Sequence, residues 1–228
     1  MPNRKDEAIQ KVMADFEIMA NLTLKQLDYL ETLLQSGEIT IPEEIENEII
    51  ANEEQIDQME VKLSERIVNT IVLYQPVASE IRKIMACYRI VINIERIGDY
   101  AVNLTKYLKK IKSLEVYSQS SDTISTMFIT AVQMVSKSLL SFSQHDKDFA
   151  TWTIKNDSVV DEINKKMLKN LISKSDNFED SKKALISFIT IKEMVDNIER
   201  IADHATNIAE AAIYYIEGKD IRHLPNID

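Results

Sequence analysis

Residues 195–210 read VDNIERIADHATNIAE, and residues 92–106 read INIERIGDYAVNLTK. Both carry Glu-Arg-Ile-small-Asp, so Glu95 and Asp99 in the earlier copy match Glu199 and Asp203 in the later one. Two further acidic pairs keep the same spacing, Glu53 with Asp57 and Asp157 with Asp161, and all four correspondences are offset by 104 residues. Residues four apart share a helix face, so each pair stacks two carboxylates. The chain is an internal duplication, and its repeated feature is a ladder of carboxylates.

The rest of the 228 residues points to helix. Only three glycines and four prolines interrupt the chain, with no proline between Pro76 and Pro225, against average usage of about 7% and 5%. Apolar spacing predicts helices over about 6–35, 42–74, 77–112, 122–143, 147–174 and 181–217. Gly37 and Gly218 are placed as left-handed stops, and Pro42 as the first residue of the second helix. The polar, serine-rich segment 113–121 reads as a linker. The expectation is an all-α protein of two tandem three-helix bundles related by internal duplication, residues 1–115 and 116–228.

Two midpoints order the ladders. Antiparallel helices joined by a short turn bring together residues equidistant from that turn. Glu53/Asp57 and Glu95/Asp99 are centred about position 76, the proline that separates their helices. Asp157/Asp161 and Glu199/Asp203 are centred about position 180, at the end of the polar turn 175–180. Each half therefore sets four carboxylates at one height on neighbouring helices. One such pair alone reads as ordinary solvated acids; four in register do not.

Glu95 and Asp99 also interrupt the apolar stripe Met85, Tyr88, Ile92, Val102. Ionised carboxylates gathered in a low-dielectric seam need neutralising, by protons, arginines or cations. Arg96 and Arg200 point about 100° away round their helices, which makes them poor partners and favours multivalent cations. An all-oxygen donor set suits magnesium, manganese, calcium or ferric iron. His145, His204 and His223 fall off the ladder, and no Glu-x-x-His pair of the di-metal oxidase kind is present. Gly98, inside a helix, and Ala202 at the equivalent place predict close approach by a helix or ligand.

The net charge of −10 and a pI near 4.9 oppose nucleic-acid binding. Lysine runs do not exceed pairs, so no basic patch is visible and partners are expected to be proteins. Cys87, the single cysteine, lies in an apolar run and reads as a buried thiol in a reducing compartment. No apolar run reaches membrane-spanning length, so the chain is expected to be peripheral to a membrane at most.

At these residues the chain resembles the PhoU family, accessory proteins of bacterial phosphate-specific transport. NEEQID and LYQPVASEIR with NIERIGDYAVN are similar to its first repeat; NDSVVDEI and NIERIADHATNIAE, with Gly218 and His223, are similar to its second. The resemblance implies multinuclear metal clusters (iron, zinc, magnesium or manganese) held by Glu53, Asp57, Glu95, Asp99, Asp157, Asp161, Glu199 and Asp203. It further implies a cytoplasmic homodimer, not an enzyme, that links a phosphate transporter ATPase to a sensor histidine kinase and restrains phosphate-starvation signalling. Two alternatives stay open: the cytoplasmic domain of a sodium–phosphate cotransporter, and a metal-dependent enzyme on a carboxylate bundle. Asn93 and Asn197 stand where the family often has Asp. Lys106 stands opposite Glu210, and Ile92 opposite Asp196, so the second site is expected to bind metal more tightly.

Overall fold

The computed structural model describes residues 4–174 and 181–222. Among these described residues seven helices follow in order: α1 Arg4–Ser36, α2 Glu43–Tyr74, α3 Ser79–Lys110, α4 Leu114–Ser118, α5 Ser121–Gln144, α6 Lys147–Lys174 and α7 Ser181–Glu217. Helices α1, α2 and α3 pack together as one bundle, and α5, α6 and α7 as a second. The all-α fold of two three-helix bundles is as expected from the duplication.

Local chemistry sets the helix ends. Gly37 (φ 68°) and Gly218 (φ 72°) take the left-handed stops assigned to them. Gln75 (φ 45°) and His145 (φ 59°) do the same without being glycine, each closing its helix with a backbone N–H bond to a carbonyl four residues back. Pro42 stands just before α2, and its carbonyl accepts from Glu46 N at 3.1 Å. The turn expected at 175–180 lies outside the described residues.

Segment 113–121 joins the two bundles and is itself folded. It holds α4, with Val116 and Tyr117 buried. Ser113 caps this short helix by accepting from Val116 N at 3.4 Å. Ser187 of α7 accepts from Lys112 N and Ser113 N at 3.0 and 2.9 Å. Serine here caps and anchors, because Val116 and Tyr117 supply enough apolar surface to pin the segment onto the bundle.

The bundles share one continuous core that runs from Phe16, Ile56 and Ile94 to Phe128, Met134 and Ile198. Fully burying one such side chain contributes about 1.5–3 kcal/mol. Helices α3 and α7 lie against each other at its centre, and α1 also meets α5, where the Phe16 and Phe142 rings pack edge-on at 5.1 Å. The α3–α7 seam pairs repeat-equivalent positions. Tyr100 and His204, 104 residues apart, stack at 5.6 Å, and His204 Nδ1 lies 2.8 Å from Asn93 Oδ1. Cys87 is fully buried, and burial pushes its thiol up to about 12, which leaves it an inert part of the core. Among the described residues no helix is long and apolar enough to cross a membrane.

Candidate metal centre

The register of α2 against α3 decides the first cluster. Ile49, Asn52, Ile56 and Leu63 are buried on α2, and Ile94, Ile97, Gly98 and Ala101 on α3. That seating brings Glu53 and Asp57 to the level of Glu95 and Asp99, as the midpoint at 76 requires. The Glu53 carboxylate lies directly on Gly98: a Cβ there would stand 2.5 Å from Oε2. Close approach at Gly98 is thus real, and the approaching group is one of the ladder acids. Glu53 Oε2 also accepts from Gln26 Nε2 of α1 at 2.9 Å, while its Oε1 is buried without a hydrogen-bond partner.

Burial raises the Glu53 carboxyl from 4.5 to about 7; Gln26 opposes the rise, and the charges of Asp57, Asp99 and Glu95 add to it. Glu95 is raised in the same way, by burial and then by Asp99, with Arg96 and Asp57 also acting and Glu60 adding from α2.

The second cluster repeats the arrangement on α6 and α7. Asp157 accepts from Thr206 Oγ1 at 3.1 Å, and burial raises its carboxyl. Asp203 stands at the solvent edge; partial burial, then Asp157, Glu199 and Asp161, push it up to about 6. Asn164 of α6 donates to Glu199. It occupies the place that Glu60 holds in the first repeat, 104 residues earlier. Asp161 reaches out to Lys165 at 3.6 Å.

Two expectations need correcting. Arg96 does serve its own helix: Nε lies 3.4 Å from Glu95 Oε2, and one guanidinium N–H lies 3.4 Å from Asp99 Oδ2. A long side chain on the exposed flank folds back across the 100° that separates it from its neighbours. These contacts are half-exposed, so each contributes at most about 1 kcal/mol. Arg200 instead lies over the Tyr100 ring at 5.8 Å. Second, Asp196, counted as an extra acid for the second site, is engaged by Lys192 one turn away.

Gln26, Asn164 and Thr206 were missed as ladder partners. Gln26 and Asn164 are polar residues at buried positions of largely apolar helix stripes, and that interruption was the available signal. Thr206, on the flank of α7, gave none.

What can this arrangement do? The donors are carboxylate oxygens, with no cysteine or histidine among them. Glu53 Oε1 lacks a partner, and the missing Cβ at Gly98 keeps room for its carboxylate. Oxygen donors of this kind suit a hard cation. Among the described residues, no three His, Cys, Asp or Glu side chains already converge on a single point as a metal's ligands would. Mutual repulsion among unneutralised acids works against such closure.

The PhoU domain family model matches residues 16–108 and again 124–212, with each copy enclosing one cluster. This chain belongs to the PhoU family. The PhoU homolog of Aquifex aeolicus (strain VF5), a phosphate-specific transport system accessory protein, is 34% identical over 210 residues, covering 90% of this chain and 89% of its own. That of Xylella fastidiosa (strain Temecula1) is 28% identical over 216 residues, 95% of this chain and 86% of its own. The crystal structure of PhoU from Pseudomonas aeruginosa superposes with a TM-score of 0.80 at 26% identity, over 94% of this chain and 99% of that one. The phosphate transport system regulatory protein PhoU from Streptococcus pneumoniae gives 0.80 at 18% identity, over 95% and 98%, a likeness of fold.

Proposed function

We propose that this chain is a non-enzymatic, cytoplasmic regulator of phosphate uptake and phosphate-starvation signalling. It acts as a metal-binding adaptor between a phosphate transporter's ATPase and a sensor histidine kinase, as a homodimer peripheral to the membrane at most. Its relatives' names support the phosphate-transport setting. The observation that carries the adaptor reading is the pair of half-buried carboxylate clusters, one per repeat, built from oxygen donors with no cysteine or histidine among the eight ladder residues.

In this reading the repeats, 1–115 and 116–228, each hold one metal cluster of iron, zinc, magnesium or manganese. Glu53, Asp57, Glu95 and Asp99 form the first, and Asp157, Asp161, Glu199 and Asp203 the second. When bound, the metal supplies positive charge that offsets the stacked acids. The protein's own groups do the orienting: Gln26 fixes Glu53, Thr206 fixes Asp157 and Asn164 fixes Glu199. Occupancy then adds stability according to concentration over affinity, about 2.7 kcal/mol at a hundredfold excess over Kd.

Chelation tests the reading. Metal-stripped protein should melt at a lower temperature and bind the purified ATPase and kinase more weakly, with both effects restored by metal. Identical melting and binding before and after stripping would reduce the clusters to solvated surface.

A further inference from the structure

The chain is acidic overall, and its sequence shows no basic run longer than a pair. The fold nevertheless assembles one basic surface from distant segments. The start of α1 and the second half of α2 flank an open groove of about 620 Å³. Arg4 and Lys11 line it from α1; Lys62, Arg66, Leu73 and Tyr74 line it from α2. Glu7 and Glu65 are its acidic members, and with Asp15 beneath them four cations face three acids, a net positive charge where the chain as a whole is negative.

The floor of the groove is built rather than incidental. Asp15, only 7% exposed, takes both Lys62 (3.2 Å) and Arg66 as partners. Arg66 also donates to the carbonyl of Lys11 at 3.4 Å. Two cations held by one carboxylate leave a net positive charge, fixed in place. Arg4 and Lys11 are exposed and make no ion pair among the described residues. They add two exposed, unpaired cations above that floor.

At the other end the character changes. Leu73 is 69% exposed, the most exposed large hydrophobic side chain among those described, and Tyr74 beside it is 36% exposed. From Lys62 to Tyr74 the groove runs along α2 for about 18 Å. Its size falls within the range of small-ligand sites, roughly 300–1,000 Å³.

The duplication did not place these cations. The acidic ladder recurs in both repeats, but the position matching Arg66 is Asn170 in the sequence. Lys166, which matches Lys62, is bound to Glu162 of its own helix at 3.1 Å. The groove also faces another side of α2 from the first carboxylate cluster: Lys62 lies about 8 Å along the helix from Asp57 but about 140° round it.

We propose that this groove binds a phosphate-bearing anion of nucleotide size, its phosphates held by Arg4, Lys11, Lys62 and Arg66 and its body laid against Leu73 and Tyr74. Phosphate oxygens match the lysine and arginine donors as charge-assisted acceptors. A flat ring covers the apolar and aromatic end, which water otherwise wets. Inorganic pyrophosphate offers the same charge without the ring, so the two ligand sources can be separated.

Calorimetric titration of the full chain with inorganic phosphate, pyrophosphate, ATP and adenosine tests this. Saturable binding of ATP or pyrophosphate at one per chain is expected, weakening as salt rises. Tighter binding of ATP assigns the Leu73–Tyr74 end to a nucleotide ring; equal binding assigns the site to phosphate groups alone. Lys11→Glu, on an exposed residue outside the core, should weaken binding by about tenfold or more. Lys166→Glu makes the same change of charge in the second repeat and should leave it unaltered. Absence of binding by pyrophosphate and ATP would overturn the proposal. So would binding that survives Lys11→Glu but vanishes with chelator, since that would place the anion on the metal clusters.

Discussion

Replacing Glu53 with glutamine should stabilise the metal-free protein above neutral pH. Its carboxyl is raised from 4.5 to about 7, chiefly by burial. The folded state therefore holds this proton more tightly than the unfolded chain does. Ionised Glu53 costs stability above about pH 7, and the cost disappears as pH falls through 7 to below 4.5. At about 1.4 kcal/mol per pH unit the ceiling is about 3.4 kcal/mol. The side chain is only partly buried, and solvent screening reduces the working figure to about 1–2 kcal/mol. For a chain of this size that is about 2–8 °C in Tm. The introduced amide keeps an oxygen for Gln26 Nε2 and adds donors beside Gln26, whose Oε1 is buried and unpartnered. Denaturant unfolding in chelator at pH 8 and pH 5 reads the effect. A gain of about 1–2 kcal/mol at pH 8 that shrinks at pH 5 is expected. No gain at pH 8, or the same gain at both, would refute the reasoning.

Three further outcomes follow from the geometry. Gly98→Ala gains up to about 1 kcal/mol of helix propensity but drives Glu53 off α3 and from Gln26, a loss of similar size. Metal-free stability should change by less than about 1 kcal/mol, while metal titration shows the first site lost; a variant that titrates like wild type contradicts the cradle. Because Arg96 already engages Glu95 and Asp99 while Arg200 is turned onto Tyr100, the second site should bind metal more tightly. Asp203→Asn should then remove the tighter phase and Asp99→Asn the weaker, and equal losses would reverse the ranking. Tyr117 buries a hydroxyl that has no partner, so Tyr117→Phe should be neutral or stabilising by up to about 1 kcal/mol in thermal unfolding; a loss above 1 kcal/mol would reveal a hidden partner.

The ladder was legible because its geometry is local twice over. Spacing of four fixes each pair on a helix face, and the midpoints at 76 and 180 set the opposed pairs at one height. Gly98 was legible for the opposite reason: a residue unfavourable to helix inside a strong helix must answer a neighbour, and Glu53 is that neighbour. What stayed hidden depends on side-chain reach or on distant segments. Arg96 bends back across its helix, which periodicity cannot express. Val116 and Tyr117 were too few to signal a helix, yet burial against the bundle makes α4. Gln26 interrupts the α1 stripe, and its reason appears only with α2 beside it, where it donates to Glu53 and to the Ile49 carbonyl. The basic groove joins residues 4–11 to 62–74, and no window along the sequence contains both.

Metal content measures the central claim most directly. Wild-type protein and a variant carrying Glu53→Gln, Asp99→Asn, Asp157→Asn and Asp203→Asn together would be equilibrated with manganese, desalted and assayed by elemental analysis. Wild type should retain at least about one ion per repeat and the variant essentially none; equal manganese in the two would contradict the assignment of these carboxylates as a metal centre.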